Sequence, residues 1–143
     1  MSNLDQPTKV TSCEGHAKTS CIEALPTRDS ILGEGMKIRR ALPQRDRPMV
    51  GAWCFLDHFG PLAIGSGDGI RVGPHPHIGL QTGTWLIQGE VFHRDSLGYQ
   101  QLIRPDQLNI MTAGRGIVHS EETPSEHSDR IHGLQLWVAL PDT

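Results

Sequence analysis

Along most of the chain, apolar and polar residues alternate in short runs, and no window keeps a 3.6-residue apolar period over three turns. "MKIRRAL" alternates, "VGAWCFLDHFG" is an apolar and aromatic run, and "TGTWLIQGEVFHRDS" breaks at a Gln-Gly turn into two strand-like pieces. "YQQLIRP", "QLNIMTAGRGIVHSEE" and "IHGLQLWVALP" continue in the same manner. Gly and Pro punctuate these runs about every 8 to 12 residues, the spacing of an antiparallel sandwich or barrel. The predicted class is therefore all-β. Residues 1–30 read differently. They are polar with scattered apolars, which predicts a partly disordered arm with one strand around "CIEAL", ahead of a single domain over 31–143.

Within this pattern, "RVGPHPHIGL" places His75 and His77 two positions apart. On a strand, residues i and i+2 share a face, so the two imidazoles project together. Pro74 and Pro76 fix their own φ and push Gly73 and His75 toward extended backbone. Pro76 has no N–H for a ladder, which puts the segment at a sheet edge or barrel mouth. A second pair lies in "GRGIVHSEE", where His119 and Glu121 are again i and i+2 and Gly114 and Gly116 supply a tight turn just before them. If the two segments are neighbours, three imidazoles and one carboxylate converge. That donor set suits a first-row divalent metal and leaves coordination positions for chemistry.

Other histidines carry weaker signals. His93, in "EVFHRDS", is in phase with Val91 and Asp95, and reads as an alternative ligand, a residue behind the ligands or a surface residue. A histidine on a strand is more often an ordinary hydrogen-bonded residue, and His58, His127 and His132 are read that way. "CEGHAKTSC" could offer Cys13, His16 and Cys21 to zinc, but the spacing is irregular and the setting tail-like. With Cys54 these cysteines form an unpaired set of three, expected to be reduced thiols.

Composition narrows the function classes. A length of 143 residues suits one domain with a real core, and a net charge of −3 without a basic stripe argues against direct nucleic-acid binding. The longest apolar run is far too short to span a bilayer, and the N-terminus lacks the basic and apolar regions of a secretory signal. No membrane association is expected, and the cytoplasm is the expected location.

From "RPMVGAWCFLDHFGP" through "GPHPHIGLQT", "HRDSLG", "NIMTAGRGIVHSEE" and "GLQLWVALP", the sequence closely resembles the N-terminal domain of the pirin family, within the cupin superfamily. Gly69 precedes His75 by the interval of the first cupin motif, and Gly89 falls where its closing glycine belongs. The resemblance implies a double-stranded β-helix, the cupin jelly roll, around one divalent metal. Iron(II) is the first choice, with nickel, manganese, copper, cobalt and zinc as alternatives. Carried over residue by residue, the pirin metal site falls on His75, His77, His119 and Glu121. Gln81 stands where many cupins place a glutamate, so a possible alternative ligand or base is absent. Gln81, His93, Trp85 and Met111 are expected behind the ligands or lining the pocket, together with Leu86 and Ile117. Pirins carry two cupin domains, and the face that would meet a second one is expected to invite a protein partner or a homodimer.

For function, the resemblance implies a quercetin 2,3-dioxygenase-type enzyme, which opens a flavonol or similar enolic aromatic substrate with O₂ and releases carbon monoxide. The metal would act as a Lewis acid, and Glu121 would be both ligand and proton acceptor. The alternative is a metal-dependent, redox-sensing regulator that binds a transcription factor or enzyme partner without turnover. A cupin that binds metal and does neither is the third reading.

Overall fold

The computed structural model describes residues 22–65 and 69–142, so the proposed Cys13, His16 and Cys21 cluster lies outside the described residues. Among these residues there are ten strands and no helix. They are β1 (Arg28–Leu32), β2 (Met36–Leu42), β3 (Trp53–Ala63), β4 (Arg71–His77) and β5 (Leu80–Gln88). Then come β6 (Val91–Asp95), β7 (Gln100–Ile103), β8 (Leu108–Thr112), β9 (Ile117–Glu122) and β10 (Arg130–Ala139). The strands form two antiparallel sheets, one ordered β1-β2-β3-β10-β5-β8 and the other β4-β9-β6-β7. This is the cupin jelly roll. Ile22–Leu25 carry no strand; the first sheet begins at Arg28, inside the segment assigned to the arm, and β1 pairs with β2 along its whole length.

Register stacks the inner face of the larger sheet in rows that cross its strands. Ile38, Phe59, Gly133 and Leu86 lie side by side on β2, β3, β10 and β5 and form an apolar row. Gly133 is required there, because a Cβ would meet Phe59 Cζ at 2.7 Å and the Trp85 carbonyl oxygen at 2.7 Å. With Val91, Ile103 and Ile131 this row builds the main core, whose members are nearly inaccessible to solvent. The next row is polar: Arg40, Asp57, Gln135, Thr84 and Asn109. Asp57 is 1% exposed, and both its oxygens accept hydrogen bonds from the Arg40 guanidinium at 2.8 Å, which satisfies the buried charge. A third row brings Phe55 beside Trp137, their rings stacked 4.0 Å apart, and then Thr82 and Met111. The barrel is thus plugged by hydrocarbon at one end and lined with polar groups at mid-height.

Strand alternation sorts β5 cleanly. Thr82, Thr84 and Leu86 point inward and are buried, whereas Gln81 and Trp85 point outward. Trp85 and Leu86 were both expected in the pocket, but adjacent residues on a strand face opposite sides. Gln81 spends its amide on Thr112 Oγ1, 2.8 Å away. Neither Gln81 nor Trp85 lines the interior. On the outer face, His58 and His132 meet Nε2 to Nε2 at 2.8 Å, and Arg39 lies 2.8 Å from His58 Nδ1. These two histidines find each other across β3 and β10, a pairing no local spacing announces.

Candidate metal centre

β4 is an edge strand of the smaller sheet, as Pro76 requires, and it pairs with β9. His75 is opposite His119, and His77 is opposite Ile117. On the other side of β9, β6 places His93 opposite Glu121 and Asp95 opposite His119. The alternation of β4, β9 and β6 therefore directs four imidazoles and Glu121 into one region of the barrel interior. A β-bulge between Val72 and His75 shifts the register, so Glu121 faces Val72 rather than Gly73.

Among the described residues, two overlapping groups have the spacing of a metal site. In one, the donor nitrogens of His75, His77 and His119 all lie within 4.8 Å of one another. In the other, donor atoms of His93, His119 and Glu121 do the same. His119 is the shared member, its Nε2 3.0 Å from His77 Nε2 and its Nδ1 3.3 Å from His93 Nδ1. His75 Nδ1 lies 2.9 Å from the Gly73 carbonyl oxygen. That contact holds a proton on Nδ1 and leaves Nε2 with its lone pair, the tautomer a ligand needs.

Electrostatics match this role. The His119 pKa is pushed down to about 3, by burial first and then by the imidazoles of His75, His77 and His93, with Asp95 pulling the other way. His77 is lowered by burial and by His75. Both rings are therefore neutral at neutral pH, with lone pairs available to a cation. Burial raises the Glu121 pKa, while the Thr84 hydroxyl, His93 and His75 oppose that rise. Imidazoles packed at contact distance beside one enclosed carboxylate, with His77 and His119 neutral, make a site that a divalent cation fits.

Of the residues expected in or near the site, His75, His77 and His119 fall in one group, and Glu121 joins His119 in the other, with His93. His93, 4% exposed, sits against His119 in the interior, not on the surface. Met111 and Ile117 are buried and, with His93 and Asp95, line a cleft of about 370 Å³ that opens beside the cluster. Leu86 is buried in the apolar plug rather than in that cleft. Thr84, Gln135 and Trp137 were missed. Thr84 Oγ1 lies 3.2 Å from Glu121 Oε1, and Trp137 meets His77 edge to face at 4.9 Å. The in-phase Gln and Trp of "GLQLWV" were the available signal for the latter two.

Residues 35–138 match the family described as Pirin. The chain belongs to the pirin family. Among its pirin relatives, a Pseudomonas aeruginosa protein provisionally named quercetin 2,3-dioxygenase is 55% identical over 121 residues, covering 84% of this chain and 38% of that protein. The crystal structure of a quercetin 2,3-dioxygenase from Acinetobacter baumannii superposes with a TM-score of 0.80 at 57% identity, covering 82% of this chain and 39% of the other. A bacterial pirin from Escherichia coli, solved in complex with nickel(II), gives a TM-score of 0.63 at 25% identity, covering 79% of this chain and 48% of the other. This pirin chain therefore spans less than half the length of each of these relatives.

Proposed function

We propose that this pirin domain holds one divalent transition metal through His75, His77, His119 and Glu121, and that the site oxidises a flavonol or similar enolic aromatic compound with O₂. One observation carries the reading: a cluster of imidazoles with one enclosed carboxylate lies beside a cleft walled by Met111 and Ile117. The names of the Pseudomonas and Acinetobacter relatives support the substrate class, and the nickel(II) of the Escherichia coli pirin supports a metal. Iron(II) is our first choice of ion, because imidazole and carboxylate donors accept any of several first-row metals and availability selects among them.

When bound, the metal would supply a Lewis acid for the substrate's enolate oxygen. The remaining work falls to the chain. His77 and His119 stay neutral because burial opposes their protonation, so they remain ligands rather than competing cations. Glu121 takes the proton of the approaching hydroxyl at a carboxylate oxygen, and the burial that raises its pKa strengthens it as a base. Met111 and Ile117 offer an apolar wall to a flat ring system, and the exposed Tyr99 and Leu97 stand at the cleft mouth, where they would meet the ring first.

The test is aerobic incubation of quercetin with protein loaded separately with iron(II), nickel(II), manganese(II), copper(II) or cobalt(II). Loss of the flavonol absorbance with release of carbon monoxide is expected for at least one metal. Absence of turnover with all five contradicts the dioxygenase reading.

A further inference from the structure

Thr84 faces two oxygen-bearing groups at once. Its Oγ1 lies 3.2 Å from Glu121 Oε1 and 2.9 Å from Gln135 Oε1, and the residue is 3% exposed. A hydroxyl carries one proton and cannot donate to both. The conflict disappears when the Gln135 amide is turned end for end, since its two ends are alike in shape and the network decides which faces which. The amide N–H then donates to Thr84 Oγ1, and the Thr84 hydroxyl donates to Glu121 Oε1. Strand register holds the three groups in place. Thr84 is directly opposite Gln135 across β5 and β10, and Gln135 is opposite Asp57, whose carboxylate Arg40 occupies. A polar row crosses the larger sheet and ends on the carboxylate that the smaller sheet contributes to the histidine cluster.

We propose that Thr84 and Gln135 are positioning residues, which hold Glu121 by one oxygen and so present the other to the metal. This rests on the reading of Glu121 as a ligand. A carboxylate on a strand turns about its own side-chain torsions, and a charge-assisted hydrogen bond to one oxygen fixes that rotation. With Oε1 engaged, binding through a single oxygen is favoured over a two-oxygen chelate. Valine fills nearly the same volume as threonine, so the buried hydroxyl at position 84 is explained by this donor role and not by packing.

The experiment titrates the metal-free 143-residue chain with cobalt(II) under anaerobic conditions, reading both affinity and the visible absorption that reports cobalt geometry. Thr84→Val is expected to weaken cobalt(II) about 10-fold or more and to shift the spectrum. Thr84→Ser restores both, and Gln135→Leu moves them in the same direction by a smaller factor. Wild-type affinity and spectrum in Thr84→Val overturn the proposal, as does a loss that Thr84→Ser fails to rescue. If Thr84→Val does not fold, Gln135→Leu decides, and unchanged cobalt(II) binding in it overturns the proposal. Glu121→Gln separates the two layers. An unchanged spectrum there removes Glu121 as a ligand and this proposal with it, whereas a changed spectrum beside an unaffected Thr84→Val removes the positioning role alone.

Discussion

His75 lies opposite His119 across β4 and β9, with ring centroids 4.4 Å apart. That pairing turns two short sequence patterns into one site, because it brings the face shared by His75 and His77 against the face shared by His119 and Glu121. It also makes His119 the hub, since its two ring nitrogens meet different neighbours on either side.

His93 is the first place to probe the boundary of the site. If it supports His119 without binding the ion, His93→Ala keeps one metal per chain and weakens its affinity about 10- to 100-fold. Stoichiometry and affinity by calorimetry distinguish this from a ligand role, in which the ion would be lost.

Acid should destabilise the metal-free protein. His119 and His77 fold with pKa values below the ordinary histidine value of about 6.5, so below that pH the unfolded chain binds protons that the folded chain refuses. Stability is complete above about pH 6.5 and falls as pH drops toward the folded pKa of about 3. Glu121 acts in the opposite sense, because its raised folded pKa favours the folded chain in acid and disfavours it as pH rises through that pKa. His58 and His132, lowered by burial and Arg39, add to the histidine effect. The net expectation is a falling thermal midpoint between pH 7 and pH 4, with a shallower slope in His119→Ala. An equal slope in the variant would contradict this assignment.

The facing of β5 gives a test of the barrel itself. Leu86 is 1% exposed in the main core, so Leu86→Ala should cost about 2–5 kcal/mol in urea unfolding. Its neighbour Trp85 is on the outer surface, and Trp85→Ser should cost far less. Comparable losses at both positions would mean that the register of β5 is misassigned.

Asp57 carries a different prediction. Its buried carboxylate and Arg40 form a two-pronged ion pair at 2.8 Å, and Asp57→Ala leaves the guanidinium without its partner. Breaking such a pair costs about 3–5 kcal/mol, measurable by urea unfolding.

Much of this was legible beforehand because it depends on local periodicity. Alternation marked β2 over "MKIRRAL", and Pro76 marked β4 as an edge strand. The i and i+2 rule picked His75 with His77 and His119 with Glu121, since side-chain direction on a strand is a property of the segment alone. What escaped depends on contacts between distant segments. Gln135 meets Thr84, and Thr84 meets Glu121, only because β5 and β10 are neighbours and face β9 across the barrel. The inward turn of His93 depends likewise on β6 pairing with β9, and β1 was hidden because its short, polar sequence is a strand only by virtue of β2. The expected placements of Gln81 and Trp85 failed for a simpler reason, as they lie out of phase with Thr82, Thr84 and Leu86.

The most direct measurement is the metal content of purified wild type and His119→Ala, each reconstituted with iron(II) without oxygen and then desalted. About one metal per chain in the wild type and almost none in a folded variant is the predicted result. Full retention by the variant would contradict a centre built around His119.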